Sequence, residues 1–578
     1  MGASPSTTSA PKVESKKNCG PIRPSKSSKW RAWALVAVHV IVLVHFAHWK
    51  ITGSSVTPLE PSEAMQTLEL GYVNAGFLLF TGAILITMVV GRFFCGWACH
   101  VVAYQDACAW ILNRLKLRPK PVRSRLLVWV PLGAAFYMFA WPTVYRAVGN
   151  LLGRDFPWPT WTWHLSTDDL WKTFPGPFIS VLTLVWVGAI AVWFLGAKGF
   201  CTYGCPYGAV FGIAERASTI RIRVTDDCER CGHCTAVCTS NVRVHEEVNL
   251  FKMVVDAGCM KCLDCVSVCP KDALYVGAGP IPAMVKPSHV RPVRHWDYTW
   301  PEELAMAGIF AIVFWSFRGL YHAVPFLFAL GIGSTVAWLI MTAIQTTRGK
   351  ALTWNGARLR APDGRLSKTG HAIVVAAIAA SCLTIHAGIL QWNLRDGLSL
   401  KAQVESAPVE AHVAPAWKAD VARARATLDR CAAISYAPDV QLTFDRADLA
   451  RLGGDFATAE RLYAEVIAQG TDTPLVRARL GDLALAQNQP DRAQREYLDA
   501  LAKGSTDFAL WTRLADIAMA RGDAKEAARC LEKFLESQPL AQPIRQALAE
   551  VYESIGETER AQHHRKLLRE AASKPTGH

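Results

Sequence analysis

Apolar residues run through the first two thirds of the chain in long uncharged stretches and then stop. Seven stretches stand out, at 31–49, 71–90, 127–146, 177–196, 303–320, 323–344 and 371–391. Each approaches the roughly 20 residues that a helix needs to cross a hydrocarbon core of about 30 Å. The pair 303–344 reads as two helices with a tight turn near Arg318–His322. From 395 to 578 the pattern becomes polar, alanine-rich and helical in spacing. Residues 1–30 are rich in Ser, Pro and Lys and read as a disordered basic tail, with no cleavable signal peptide evident. The apolar pattern is interrupted at 216–285 by a cysteine-rich polar insert. The expected parts are therefore 1–30, a four-helix membrane region 31–215, the insert 216–285, a further membrane region 286–395 with about three spans, a linker 396–435 and a repeat region 436–578.

Charge changes the picture by giving the spans an orientation. The formal charge of +14 concentrates in short loops beside apolar spans, so it reads as a topology signal and not as a nucleic-acid surface. Loop 91–126 carries Arg92, Arg114, Lys116, Arg118, Lys120, Arg123 and Arg125 against Asp106 alone, and loop 345–370 is similarly basic. Loop 50–70 has Lys50 with Glu60, Glu63 and Glu69, and loop 147–176 has Arg154 and Lys172 with three aspartates. The basic loops, the N-terminus and the insert are expected in the cytoplasm, and seven crossings would then put the tail in the periplasm. Trp30, Trp33, Trp49, Trp141 and Trp193 fall near span ends, where aromatic belts form.

Cysteines supply the chemistry. Of the 17 in the chain, eight form two runs, Cys228-x2-Cys231-x2-Cys234-x3-Cys238 and Cys259-x2-Cys262-x2-Cys265-x3-Cys269-Pro270. This is the bacterial ferredoxin spacing, in which three thiolates of each run hold one [4Fe–4S] cluster and the fourth crosses to the other. Cys228, Cys231, Cys234 and Cys269 are the expected ligands of one cluster, and Cys259, Cys262, Cys265 and Cys238 those of the second. Zinc also accepts Cys-x2-Cys, but zinc ribbons have no use for the third and fourth cysteines at these offsets. The first run ends Cys238-Thr239 where the second ends Cys-Pro. Clustered thiols of this kind belong on a reducing face.

Two further pairs stand where spans end, Cys95-Gly-Trp-Ala-Cys99-His100 and Cys201-Thr-Tyr-Gly-Cys205-Pro206. Both are Cys-x3-Cys and both follow a phenylalanine, so 31–110 and 127–215 read as an internal repeat with approximate two-fold symmetry. Four thiols from two related elements can converge on a metal or cluster, or cycle between dithiol and disulfide; the plainer reading is small residues packing at a helix end. Cys108 alone reads as buried and inert.

Spans that end in such pairs and lead into a double ferredoxin motif resemble the bacterial membrane polyferredoxin family. That family includes the membrane ferredoxin subunit of periplasmic nitrate reduction, the regulator of nitrous oxide reduction and the cytochrome oxidase accessory protein. The resemblance covers about residues 70–275 and departs from the family at His100, where a proline is usual. It implies an inner-membrane protein that transfers electrons in connection with the quinone pool or with periplasmic enzymes.

Histidines also lie in the apolar spans: His39, His45 and His48 on the first and His386 on the last, with His322 at a turn. Ionisable groups there are functional candidates, and His45 with His386 could clamp a b-type haem. No haem motif accompanies them, and interhelical hydrogen bonding explains them more cheaply. The aromatic loop from Phe156 to His164 could line a quinol pocket, or simply form part of an interfacial belt.

The tail carries a period of 34 residues. Ala459, Ala493, Ala527 and Ala561 keep it, as do Gly454, Asn488, Gly522 and Gly556, and Asp448, Asp482, Asp516 and Glu550. This resembles the tetratricopeptide repeat, whose arrays present a groove to another protein. Cys431 and Cys530 read as ordinary core or surface residues, with a disulfide between them conceivable only outside the cytoplasm.

The expected fold is thus multi-domain: a polytopic α-helical membrane protein of about seven spans, an inserted ferredoxin-like 2[4Fe–4S] domain and a C-terminal all-α tetratricopeptide solenoid. The expected function is iron–sulfur electron transfer between the cytoplasmic face or quinone pool and a redox partner, as a component of an oxidoreductase system and not a stand-alone enzyme. The rivals are a quinol dehydrogenase subunit, an assembly factor that reduces a metal or thiol, and a scaffold with structural clusters.

Overall fold

The computed structural model describes residues 20–115, 117, 122–171, 176–288, 296–539 and 541–572. The expectations for residues 1–19 and the charges Lys116, Arg118, Lys120 and Lys172 lie outside them. The chain forms two units, Met1–Gly388 and Ile389–His578.

In the first unit and at its end, five helices are long and apolar enough to cross a membrane: Lys26–Thr52, Leu127–Leu151, Pro177–Leu195, Phe326–Thr347 and Lys368–Ser406. The tail expected at 1–30 turns helical at Lys26, because Ser25 Oγ accepts from the Ser28 amide at 3.1 Å and caps the first turn. Val40, Ile41, Val42, Leu43 and Val44 stay exposed on that helix, the all-apolar surface that lipid would cover. Phe326–Thr347 is buried along most of its length. Gly331, Gly333, Ser334 and Ala337 keep its surface small enough for neighbours to approach closely.

One expected span is shorter than drawn and another is shifted. The 71–90 stretch is helical only over Ala75–Val90, about 24 Å of rise. The 303–320 stretch is the Trp300–Phe317 helix, whose first turn, Trp-Pro-Glu-Glu, is polar and closed by a capping box from Thr299. It packs on Phe326–Thr347 as the expected hairpin. The turn between them uses Gly319 and Tyr321 at positive φ.

The internal repeat is visible in the backbone. Ala75–Val90 ends at Gly91 (φ 84, ψ −174), and Pro177–Leu195 ends at Gly196 (φ 92, ψ 173). Each is followed by a five-residue helix, Phe93–Trp97 or Gly199–Tyr203, and then by a longer one, His100–Arg114 or Pro206–Glu215. The loops at the other end pair with each other. Ser55–Val56 runs antiparallel to Ser166–Thr167, and Tyr72–Val73 parallel to Thr162–Trp163. Residues 91–115, read from sequence as a plain basic loop, are therefore mostly helix, and Arg92 is buried.

The insert is closed by one antiparallel pair, Ile220–Val224 on Leu274–Ala278. Ile222, Val242, Val248, Val254 and Leu274 pack between the cysteine loops.

In the second unit the stretch expected to be a linker is largely helical. Lys368–Ser406 continues through its first part, and Pro415–Ile434 is a 20-residue helix with Val421, Ala424 and Leu428 buried. Four helix pairs follow, beginning at Val440–Leu452 with Phe456–Ala468 and ending at Gln542–Ser554 with Thr558–Ala572. Ala459, Ala493, Ala527 and Ala561 are almost fully buried where paired helices touch. Gly454, Asn488, Gly522 and Gly556 all take positive φ at the intrapair turn, which explains the recurring glycine or asparagine. Asp448 and Asp482 accept from the buried hydroxyls of Tyr463 (2.5 Å) and Tyr497 (2.8 Å). Cys431 and Cys530 are free and buried.

Candidate functional site

The two cysteine runs fold into the same backbone. Left-handed φ occurs at Arg230, Gly232 and Asn241 in the first and at Lys261, Leu263 and Asp272 in the second, each pair offset alike from its run. Leucine and lysine adopt this region at a cost of about 1–2 kcal/mol each. The loops hold it because their amides and thiols must turn inward around a common centre. Short helices, His233–Ala236 and Asp264–Ser267, then carry Cys234 and Cys265.

Cys228, Cys231, Cys234 and Cys269 line one pocket, together with Gly232, His245 and Pro270. That is the set spacing expected for one cluster, including the crossed fourth cysteine. The other set, Cys238, Cys259, Cys262 and Cys265, is gathered more deeply, with three of the four buried. Burial and then the neighbouring Cys231 push the Cys234 thiol up to about 12; burial and then Cys259 do the same to Cys238. A thiolate is therefore costly in these sites by itself, and a coordinated cation compensates it. Among the described residues no three such side chains close on a single-ion position. The donor set fits a larger group: four thiols spread around a cavity, as a cubane demands.

The second run is built into the rest of the unit. Met260 packs with Cys95 and Phe94, and the Lys261 carbonyl accepts from Trp97 Nε1 at 2.9 Å. A Cβ at Gly96 would collide with the Met260 carbonyl. Asp264 bonds Ser25 Oγ (2.6 Å) and lies 3.6 Å from Arg31, which also pairs with Asp106 at 3.1 Å. Lys198 completes this buried chain on Asp106. A second buried node centres on Glu215. Its carboxylate meets Lys261 at 2.7 Å, Arg221 at 3.3 Å and the Arg92 amide at 2.6 Å. The loop-charge pattern counts Arg92 as a topology signal; the glycine before it and the lone acids Asp106 and Glu215 are the marks of its burial in the sequence.

Cys95, Cys99, Cys201 and Cys205 come together between the two repeat halves. Cys95 and Cys201 sit on the short helices, and Cys99 and Cys205 at the N-caps of the longer ones. His100 occupies the first helical position that Pro206 fills in the other half. Arg92 Nη2 lies 3.8 Å from Cys95 Sγ, Gln105 Nε2 3.3 Å from Cys201 Sγ, and the Gly208 amide 3.4 Å from Cys205 Sγ. Phe80, Phe94, Phe211 and Tyr207 wall the group. Glu60 comes within 3.9 Å of His100, so the acidic loop expected to stay at the opposite face folds inward to this site. The short Ala75–Val90 helix permits that reach.

The histidines proposed for haem are not arranged alike. His45 Nε2 lies 3.0 Å from the Val56 carbonyl, so the nitrogen that would meet iron already has a backbone partner. His386 stands on the Lys368–Ser406 helix. His39 Nδ1 contacts the Leu35 carbonyl (2.7 Å) and its ring meets Tyr104 edge-on.

Comparison with known proteins agrees with this geometry. A 4Fe-4S binding domain model matches twice, at 74–119 and 178–224, once on each repeat half, and a 4Fe-4S dicluster domain model matches 220–270. The methylamine utilization ferredoxin-type protein MauN of Methylorubrum extorquens is 30% identical over 34% of this chain and 66% of its own length. The ferredoxin-type protein NapH of Escherichia coli is 27% identical over 38% of this chain and 74% of its own. The chain thus spans about two thirds to three quarters of these relatives. A crystal structure of MamA is similar at 16% identity and a TM-score of 0.24, over 27% of this chain and 90% of that one. The protein is a ferredoxin-type iron–sulfur membrane protein. It belongs to the polyferredoxins represented by NapH and MauN, and carries a tail of tetratricopeptide-like helix pairs.

Proposed function

We propose that the chain relays electrons through two [4Fe–4S] clusters, one in the half-buried first loop and one seated on the membrane region. Cys228, Cys231, Cys234 and Cys269 hold the first, and Cys259, Cys262, Cys265 and Cys238 the second. The observation that carries this reading is the contact of the Cys259–Cys262 loop with Cys95-Gly96-Trp97. It gives the second cluster a buried exit towards the four further thiols, while three of the four cysteines of the first are only half-buried. About seven crossings of a bacterial inner membrane, with the insert in the cytoplasm and the repeats in the periplasm, fit the loop charges. The partners are a quinone or a redox protein, and a protein docked on the repeat groove. NapH and MauN are named as ferredoxin-type proteins, which fits a carrier.

A quinol dehydrogenase subunit is the second reading. It is favoured by the Glu60–His100 pair beside the thiol group, since quinol oxidation releases protons that such groups accept. The test is reductive titration of the anaerobically purified protein by EPR. Two interacting cubane signals are expected in the parent, and Cys231→Ser should remove or alter one of them. A protein whose insert holds zinc, or no iron, overturns the relay.

A further inference from the structure

We infer that Arg31, on the first membrane helix, raises the reduction potential of the second cluster and so draws the electron to the side of the insert that meets the membrane region. The inference rests on the relay reading and adds to it a favoured direction and the residue that sets it.

The two cysteine runs are duplicates, and the duplication breaks at the residue before the third cysteine. That place is His233 in the first run and Asp264 in the second. Asp264 is buried and opens the short helix that carries Cys265. Its partners come from the start of the Lys26–Thr52 helix. Ser25 Oγ donates to Asp264 Oδ1 at 2.6 Å and lies 2.8 Å from Ser267 Oγ, while Arg31 Nη2 stands 3.6 Å from Asp264 Oδ2. The membrane region thus brings a guanidinium to the second loop at a position where the first loop offers no carboxylate.

The charges around Arg31 balance. Arg31 pairs with Asp106 at 3.1 Å, and Lys198 closes on the same carboxylate. Two cations face two carboxylates, and Arg31, Lys198 and Asp264 are all buried. Removing one member leaves one unbalanced charge beside the loop, little screened by salt. Burial and then Asp264 push the Cys262 thiol up, and Arg31 opposes them, so its field reaches a ligand. Lys261 and Arg221 meet Glu215 in the other buried node, which leaves Arg31 as the cation paired with Asp264.

Reduction takes a cubane on four thiolates from a net charge of about −2 to about −3. A nearby cation favours the reduced state and a carboxylate the oxidised one. A unit charge about 10 Å away, at an effective interior dielectric of about 20, changes such an equilibrium by roughly tenfold. In the favoured step the first cluster is oxidised by one electron and the second is reduced by one; no bond forms or breaks.

The test is an EPR-monitored redox titration of the anaerobically purified full-length holoprotein, with Arg31→Gln, Arg31→Lys and Asp264→Asn beside the parent. The signal that survives Cys231→Ser identifies the second cluster. Arg31→Gln should lower its reduced-to-oxidised ratio at fixed ambient potential about tenfold, a shift of about 59 mV for a one-electron couple. Asp264→Asn should move it the opposite way by a similar amount. Arg31→Lys keeps the charge and should stay within about threefold of the parent. The first cluster's midpoint should not move. Opposite signs are the mark of charge, because a merely structural role would shift both variants alike or cost iron in all three. Either of those results overturns the inference, as do midpoints equal to the parent's. Should Arg31→Gln alone lose iron, Asp264→Asn decides: a second-cluster midpoint that rises upholds the inference, and one that stays or falls overturns it. A parent that lacks two cubane signals sinks the relay itself; a parent that has both, with flat midpoints in the variants, sinks only the role of Arg31.

Discussion

Glu215 joins three parts of the first unit through one carboxylate, and its replacement gives the sharpest test of how the insert is held. The side chain is fully buried. Oε1 faces Lys261 at 2.7 Å and Arg221 at 3.3 Å, both from the insert, while Oε2 accepts from the Arg92 amide of the first repeat half at 2.6 Å. Glu215→Gln keeps the shape and an acceptor but leaves two buried cations without a counter-charge. Breaking a buried pair in this way costs about 3–5 kcal/mol. The loss of an individual charge-assisted bond is contained in that figure, not added to it. At about 1.4 kcal/mol per power of ten, the seated insert should become less favoured by roughly two to three and a half decades. Limited proteolysis of the detergent-solubilised holoprotein around residues 216–219 reads this opening, and iron content confirms that the clusters survive.

A control separates charge from packing. The Glu215→Leu/Lys261→Met/Arg221→Met variant removes the cations with the anion, and should recover most of the loss, since apolar replacements of buried ion groups are often neutral or better. Because the node is buried, the effect should persist at high salt, unlike that of a surface pair. A Glu215→Gln protein as protease-resistant as the parent refutes the node as the fastening. A triple variant as damaged as the single one refutes the charge argument.

Gly96→Ala should cost about 1–3 kcal/mol by overpacking, since its methyl group meets the Met260 carbonyl. Faster iron loss from the second cluster in air, with the first unaffected, would be the readout, and equal loss rates would contradict it. In the repeats, the Arg477 guanidinium, bonded to Asp472 at 2.6 and 2.8 Å, holds that carboxyl down at about 2, with Lys503 assisting. The folded value is depressed, so the pair's stabilisation is complete above the ordinary aspartate value near 3.9 and is lost as pH falls through 2. Asp472→Asn should therefore cost no more than about 1 kcal/mol at neutral pH for this largely solvated pair. Hydrogen exchange over the 440–572 helices should show the variant and parent converging in acid; a constant difference would refute the pair.

What the sequence disclosed and what it hid divide along contact range. Ligand spacing and the 34-residue period are local. The left-handed positions that recur in both cysteine loops, and at every intrapair turn of the tail, show why such patterns survive as readable strings: each fixes a backbone angle within a few residues. The meeting of Cys95 and Cys99 with Cys201 and Cys205 was also legible, but only through duplication, which turns a long-range contact into a repeated short motif. The span count was less secure, because helix length answers to packing: Ala75–Val90 is short where Glu60 folds inward.

Arg92 departs from the loop-charge pattern for a physical reason. Counting basic residues in loops assumes that each one is solvated. Arg92 is not; it is buried against the thiol site, as Arg31 and Lys198 are against Asp106 and Asp264. The partners lie up to 233 residues from Arg31 (264 − 31 for Asp264), so nothing near it in sequence betrays the pairing. The counter-signal was present in another form. A single acid in an otherwise basic or apolar stretch, Asp106 or Glu215, has little reason to be there for solubility or topology. Burial makes an unpaired carboxylate costly, so a lone acid in such surroundings implies a buried cation elsewhere in the chain. Glu215 ties the insert's Lys261 loop to both repeat halves directly, and Asp106 reaches the same loop through Arg31 and Asp264, so two acids far apart in sequence hold these parts together.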